Sequence, residues 1–199
     1  MNNNDLMIDV GQANEIKLAM RREGPWTNEE IKKLCEQKGF LTKVREVLLG
    51  RAEIKPFECL VDCNETPFTP DGWSILPENE QLQNRIKGLY KLDMTKVKLH
   101  LSKEQIKGRI SGNELRKRLK KEPVLPANVL DFLLKKENQH LIPEELKGKY
   151  VFFWGTIYRR SAGGLYVRYL YWDDGGWDWD DFWLGNDFDG LNPSAVSAS

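Results

Sequence analysis

The sequence has few cysteines, few histidines and no long apolar run, and each shortage argues against a class of protein. Cys35, Cys59 and Cys63 lack the partners of a zinc site, so we predict reduced structural thiols and no bound metal. His100 and His140 are isolated and no Gly-rich phosphate loop occurs, so we expect no cofactor and no enzymatic activity. No run of about 18 apolar residues exists, and the opening stretch lacks the regions of a signal peptide. We expect no membrane insertion, which leaves a virion, a cell surface and the cytoplasm open as locations.

A net charge of either sign is also missing, because 30 basic residues balance 30 acidic ones. The balance is uneven along the chain, since residues 151–199 hold three Arg and seven Asp. Ten Lys or Arg and two acids lie between Lys96 and Lys121, without the interleaved aromatic residues that stack on bases. We interpret this basic tract as solvated helix faces and do not expect a nucleic-acid partner.

Helix-start signals recur before residue 130. Three pairs have the spacing of capping boxes: Thr27 with Glu30, Ser102 with Gln105, and Ser111 with Glu114. The first pair predicts a helix over about 27–38, and Gly39 and Gly50 are placed to end this helix and a second one. Pro126 opens a further amphipathic segment.

Aromatic and β-branched residues dominate the last quarter of the chain. Fourteen of the 21 aromatic residues lie between Tyr150 and Phe188. The runs KYVFFWGTIYRR and LYVRYLYW, separated by SAGG, predict a β-hairpin. Helices followed by strands predict an α+β fold, with amphipathic helices and a C-terminal aromatic-rich antiparallel β region.

The segment from 173 to 193 has an unusually narrow vocabulary. It consists of seven Asp, four Gly, three Trp, two Phe, two Leu, two Asn and one Pro. Codons for Asp, Gly, Phe and Leu all arise from an Asn codon when only its adenines are replaced, whereas the Trp codon contains no adenine. The interspersed tryptophans would therefore be left unchanged by a process that rewrites adenines.

The aspartates of this segment also suggest calcium binding or glycoside hydrolysis. An EF-hand loop fails, because its first ligand position would be Gly185 and its twelfth Val196. Seven Asp in one segment give no reason to choose a catalytic pair. We interpret these aspartates as a solvated acidic face.

On these residues, the sequence resembles the variable proteins of diversity-generating retroelements from uncultured bacteria, archaea and their viruses. The likeness runs from about Phe57 to Ser199, through VDCNETPFTPDGW, SGNELRKRLKKEPVLPANVLDFLL and the aromatic C-terminal segment. In that family, an adenine-directed reverse transcriptase rewrites the 3′ end of the gene, and a C-type-lectin-like fold displays the changed residues. The resemblance implies a C-type-lectin-like variable domain over 51–199, diversified at about 166–193. Residues 1–50 lie outside the resemblance, and their helix signals predict an N-terminal helical extension.

The resemblance also implies two sets of residues in the C-terminal segment. The scaffold set is Trp172, Trp177, Trp179, Trp183, Leu184 and Pro193. The variable, ligand-facing set is Tyr169, Tyr171, Asp174, Asp178, Asp180, Asp181, Phe182, Gly185, Asp187, Phe188, Asp189, Gly190 and Leu191. Such variation is tolerable only where the changed side chains project from a scaffold that is stabilised elsewhere.

Calcium-dependent sugar binding is not part of this prediction, because the chain lacks the Glu-Pro-Asn and Trp-Asn-Asp motifs of animal C-type lectins. We expect a protein or other macromolecular surface as the ligand, with Tyr169, Tyr171, Phe182 and Phe188 as anchors. The acidic residues favour a basic or polar patch on that ligand. The alternative is a carbohydrate-binding or carbohydrate-active protein, in which exposed tryptophans stack on sugar rings and an Asp pair acts on them.

Overall fold

Helices and strands are both present along the chain, and five of the strands precede the last helix. A computed structural model describes residues 9–24, 26–54 and 58–198. Its helices are α1 (Val10–Glu23), α2 (Asn28–Glu36), α3 (Phe40–Leu48), α4 (Lys103–Lys107), α5 (Gly112–Arg118) and α6 (Ala127–Leu134). Its strands are β1 (Leu60–Asp62), β2 (Trp73–Ile75), β3 (Leu89–Lys91), β4 (Val97–His100), β5 (Ile110–Ser111), β6 (Val151–Phe152), β7 (Tyr158–Arg160), β8 (Leu165–Asp173), β9 (Gly176–Trp183), β10 (Asp187–Phe188) and β11 (Ser194–Ser197). The prediction of an α+β chain is confirmed.

The chain divides into two units, Met1–Phe57 and Glu58–Ser199, whereas the sequence places the boundary after residue 50. The first unit contains α1, α2 and α3, and no residue of α2 or α3 is fully buried. The predicted capping box of Thr27 and Glu30 is present at the start of α2. Gly39, with φ of 77°, separates α2 from α3.

The second unit is built on a seven-stranded sheet. The strand order is β2-β7-β8-β6-β11-β4, and β9 pairs with β8. All pairings in this sheet are antiparallel except that of β11 with β6. The predicted hairpin over SAGG joins β7 to β8, with Gly163 at φ of 85°. Two further pairs, β1 with β3 and β10 with β5, lie outside this sheet.

Both faces of this sheet are packed, because neighbouring residues of a strand point to opposite sides. Leu170 of β8 joins a cluster with Leu130 and Leu133 of α6. Val167 of the same strand joins a second cluster with Leu115 of α5. Within the described residues, no helix is both long and apolar enough to cross a membrane.

Candidate functional site

The pairing of β8 with β9 sorts the predicted residues onto two faces of one hairpin. Every second residue of β8 and its partner on β9 point to the same side, which we call the inner face. Its residues are Tyr166, Arg168, Leu170, Trp172, Trp177, Trp179, Asp181 and Trp183. The outer face is the set Val167, Tyr169, Tyr171, Asp178, Asp180 and Phe182. The strands therefore separate most of the predicted scaffold from much of the predicted variable set.

A two-residue turn closes the hairpin and fixes this register. Asp173 is paired with Gly176, and the turn residues Asp174 and Gly175 have φ of 41° and 90°. Asp, Asn and Gly are the residues that adopt this left-handed conformation most readily. Asp174 is exposed, but its left-handed conformation limits which residues can replace it.

Arg168 is the central polar group of the inner face. Its side chain is 1% exposed, and Nη1 donates to Oδ1 of Asp131 on α6 at 2.8 Å and to the carbonyl oxygen of Phe68 at 3.2 Å. The guanidinium carbon lies 4.1 Å from the ring centroid of Trp179. A buried guanidinium needs such an acid and such acceptors, since its desolvation is costly.

Two further cations of the chain are held on aromatic rings of this face. Arg160 lies over Tyr166, with 4.1 Å from its guanidinium carbon to the ring centroid, and its Nη2 donates to both carboxylate oxygens of Asp181 at 2.8 Å. Nζ of Lys147 lies 3.7 Å from the ring centroid of Trp172. The expectation that Asp181 faces a ligand is corrected, because its side chain points inward and is bonded to Arg160.

Four residues of the outer face and the neighbouring Tyr150 form a tyrosine cluster bordered by acids, which we call the tyrosine face: Tyr150, Tyr169, Tyr171, Asp178 and Asp180. Tyr169 and Tyr171 are half-buried, and the other three are exposed. The ring centroid of Tyr150 lies 5.5 Å from that of Tyr169 and 6.5 Å from that of Tyr171, and the last two are 5.7 Å apart. Tyr169 is paired with Asp180 and Tyr171 with Asp178. The phenol of Tyr169 donates to Oδ2 of Asp180 at 3.3 Å.

The surroundings of Tyr169 and Tyr171 raise the pKa values of both phenols. Desolvation, followed by the charge of Asp180, raises the pKa of Tyr169 well above its ordinary value. Desolvation, followed by the charge of Asp178, also raises the pKa of Tyr171. Both phenols can donate hydrogen bonds, and the carboxylate oxygens beside them can accept them.

The other end of the outer face is packed. Phe188 is 0% exposed, and its ring centroid lies 4.9 Å from that of Phe152, 5.2 Å from Trp154 and 5.0 Å from Phe182. The prediction that Phe188 is a ligand-facing anchor is therefore corrected, because its ring fills the core beneath the outer face. Phe182 is half-buried in the same cluster.

The remaining predicted variable residues follow β9, with Asp187 in β10 and the others in the turns on either side of it. Gly185, Asp187, Gly190 and Leu191 are exposed, whereas Asp189 is half-buried. Oδ1 of Asp189 accepts from the backbone N–H of Leu191 at 2.9 Å. The carbonyl oxygen of Leu191 accepts from the N–H of Tyr150 at 3.0 Å, which connects this segment to the tyrosine face.

The predicted scaffold residues are packed with one exception. Trp177, Leu184 and Pro193 are buried, and Trp172 and Trp179 are half-buried against the cluster that includes α6. Trp183 is 48% exposed, which corrects the expectation that it is a core residue. Its ring lies against the backbone of Gly185, where an added Cβ would be 2.5 Å from the indole.

Sequence reasoning missed two contributors to this region. Tyr150 precedes the predicted variable segment, and the start of the aromatic-rich stretch at this residue was its only signal. The Arg168–Asp131 pair joins residues 37 apart, and no local pattern marks it. Among the described residues, no group of three His, Cys, Asp or Glu side chains is arranged to hold a metal ion.

The tyrosine face offers aromatic surfaces, phenol donors and carboxylate acceptors on one side of a supported hairpin. Tyrosine is well suited to recognition, because it buries a large rigid surface and keeps a polar tip. Comparison of the chain with protein-family models, with curated proteins and with solved structures returns no match.

Proposed function

We propose that the chain is a non-catalytic recognition protein whose C-terminal segment is diversified by a retroelement and displayed on a C-type-lectin-like domain. The ligand is a protein or another macromolecular surface. The observation that carries this proposal is the division of the β8–β9 hairpin into two faces. The inner face packs against α6, and the outer face presents the exposed carboxylates of Asp178 and Asp180 beside the half-buried Tyr169 and Tyr171. Residues of both kinds come from the same narrow stretch of sequence.

The physical basis of the proposal is that the two faces have separate tasks. Trp177 and Leu170 on the inner face pack with α6, so changes there remove core contacts. Asp178 and Asp180 are exposed, and substitutions at such positions usually change the free energy of unfolding little; Tyr171 beside them is half-buried. A surface of this kind can be rewritten without loss of the fold.

The antiparallel hairpin and the helix packed on one face support the C-type-lectin-like part of the proposal. Three residues change the predicted division into scaffold and variable positions. Asp181 and Phe188 are occupied by contacts inside the domain, so we expect fewer accepted replacements there than at Tyr171 or Asp178. Trp183 is the scaffold residue that a ligand can reach.

Sequencing the 3′ end of the gene across a natural population, together with its genomic neighbourhood, tests this function. We expect a near-copy of this end beside a reverse transcriptase gene, with adenines in the copy at the codons of Tyr169, Tyr171, Asp178 and Asp180. Changes should spare the codons of Trp177 and Trp179. The absence of such a copy, or variation spread evenly over both faces, would contradict the proposal.

The exposure of Trp183 supports the carbohydrate alternative, because an exposed indole can stack on a sugar ring. Trp177 is buried and Trp179 half-buried, so the alternative depends on Trp183 alone among the tryptophans of β9. Glycan-array binding that is lost in Trp183→Ala and kept in Tyr171→Ala would favour this alternative. The opposite result would favour the tyrosine face.

A further inference from the structure

On the inner face of the hairpin, two arginine side chains of the protein are held by the same kind of contacts. Arg168 is held by the carboxylate of Asp131 and the ring of Trp179. Arg160 is held in the same way by Asp181 and the ring of Tyr166. In both sites a guanidinium lies about 4 Å above an aromatic ring while its N–H groups donate to a carboxylate. The geometry combines a cation–π contact with a charge-assisted hydrogen bond.

The two arginine sites each consist of an aromatic ring, a carboxylate and a guanidinium, and the tyrosine face contains the first two of these. It has aromatic rings within 7 Å of one another and two carboxylates paired across the strands with Tyr169 and Tyr171. Within the described parts of the chain, no Lys or Arg nitrogen lies within 4 Å of a carboxylate oxygen of Asp178 or Asp180. The acids accept from the backbone N–H groups of Trp179 and Asp181 and from the phenol of Tyr169 instead.

We infer that the tyrosine face binds arginine side chains of a partner protein, with guanidinium groups over Tyr150 and Tyr171 and donating to Asp178 and Asp180. This inference rests on the proposed function and names the chemistry of the partner for this variant of the surface. Charge complementarity favours such a partner, since residues 151–199 carry seven Asp and three Arg. Arginine fits better than lysine, because its planar group stacks on a ring and donates two parallel hydrogen bonds.

The spacing of the two acids also restricts the shape of the partner. Asp178 and Asp180 are two residues apart on β9, so their side chains are about 7 Å apart along the same face. An extended segment with arginines two residues apart presents its guanidinium groups at the same interval. β9 pairs only with β8 among the described strands, so the row of acids lies on the last strand of the sheet. We therefore expect an Arg-x-Arg sequence in an extended partner segment.

Tyr150 differs from the other residues of the tyrosine face in its position in the sequence. It is 42% exposed and lies outside the segment predicted to vary, whereas the other four residues of the tyrosine face lie within it. Its ring packs against Tyr169, and its backbone is hydrogen-bonded to Leu191. Tyr150 is thus a constant aromatic surface beside positions whose side chains change.

The test is a titration of the full chain with three acetylated pentapeptides, Gly-Arg-Gly-Arg-Gly and its lysine and citrulline counterparts, followed by NMR and calorimetry. Citrulline keeps the shape of arginine and removes its charge. We expect the arginine peptide to bind about tenfold or more tightly than the citrulline peptide, with the lysine peptide between them. The amide signals that shift should be those of β8, β9 and Tyr150.

Asp178→Asn/Asp180→Asn should abolish the preference for arginine, and Tyr150→Ala should weaken binding several-fold. The matched control is Asp71→Asn/Glu137→Gln, which removes two exposed carboxylates outside the hairpin and should leave binding unchanged. Thermal unfolding of each variant shows whether the fold persists. Equal binding of the arginine and citrulline peptides, no binding, or a preference kept in Asp178→Asn/Asp180→Asn would overturn the inference. These results would leave the proposed function standing if the adenine-bearing gene copy is found.

Discussion

The inner and outer faces of the β8–β9 hairpin use the same kinds of residue for different ends. Each face combines aromatic rings with aspartates. On the inner face, Arg160 and Arg168 pair with Asp181 and Asp131, and tryptophans pack against α6. On the outer face, the rings and acids of the tyrosine face are open to solvent to different degrees.

Composition alone does not separate the packed face of this hairpin from the more exposed one. Asp180 and Asp181 are neighbours in sequence, yet one borders the tyrosine face and the other is bonded to Arg160. The alternation of a strand places them on opposite sides. The following substitutions test this division, from the largest expected effect to the smallest.

Trp177→Ala should cost about 3–5 kcal/mol of unfolding free energy, because it removes a buried indole from the inner cluster. Tyr171→Ala on the outer face is the matched change and should cost about 1 kcal/mol or less. Denaturant unfolding of both variants measures the difference. Equal losses would mean that the two faces contribute alike to stability.

Asp131→Asn should cost about 3 kcal/mol, because it leaves the guanidinium of Arg168 buried without a charged partner. The double change Arg168→Met/Asp131→Leu should recover much of this loss, since it removes both charges. Asp178→Asn removes an acid of the outer face and serves as the comparison, with a change within about 0.5 kcal/mol. If Asp131→Asn has the same free energy of unfolding as the unaltered chain, the role assigned to the Arg168–Asp131 pair is wrong.

Gly112→Ala should cost about 1–3 kcal/mol, because strong overpacking displaces neighbouring groups. The added Cβ would lie 2.6 Å from the Phe188 ring and 2.8 Å from the Cα of Leu184. Gly190→Ala is the control in the predicted variable set, with its nearest contact at 3.8 Å, and should change stability by about 0.5 kcal/mol or less. Thermal unfolding compares the two. A larger loss for Gly190→Ala would contradict the difference in packing between these two glycines.

Asp180→Asn should lower the pKa of Tyr169 while leaving it above its ordinary value, because burial is the larger cause of the shift. A phenol whose pKa is raised on folding contributes stability below its unfolded pKa of about 10, and this contribution is lost as pH rises through the folded pKa. Ultraviolet absorbance of the phenolate follows the titration, and Tyr169→Phe identifies its signal. An unchanged titration in Asp180→Asn would show that the carboxylate does not act on this phenol.

Local patterns were sufficient to predict several elements of the fold. The Thr27–Glu30 capping box, the start of α6 after Pro126 and the β7–β8 hairpin are confirmed, because each depends on residues close in sequence. α1 was missed, although Asp9 and Gln12 form a capping box of the same kind. The parallel pairing of β11 with β6 could not be read from the chain, since it joins residues far apart.

The candidate site was harder to predict for the same reason. Phe188 is buried by rings from β6 and β9, and Asp181 is fixed by an arginine 21 residues away. Neither partner can be identified from the neighbouring sequence. The exposure of Trp183 is likewise not revealed by the spacing of the tryptophans, because Trp177 and Trp183 alternate on the same face but differ in burial.

Two matched libraries test the central claim most directly. One randomises Tyr169, Tyr171, Asp178 and Asp180 on the outer face, and the other randomises Arg168, Leu170, Trp177 and Trp179 on the inner face. Each library is sorted for resistance to protease, which reports the folded fraction. We predict that most members of the outer library stay folded and few members of the inner library do. Similar folded fractions in the two libraries would contradict the division of this hairpin into a scaffold and a rewritable surface.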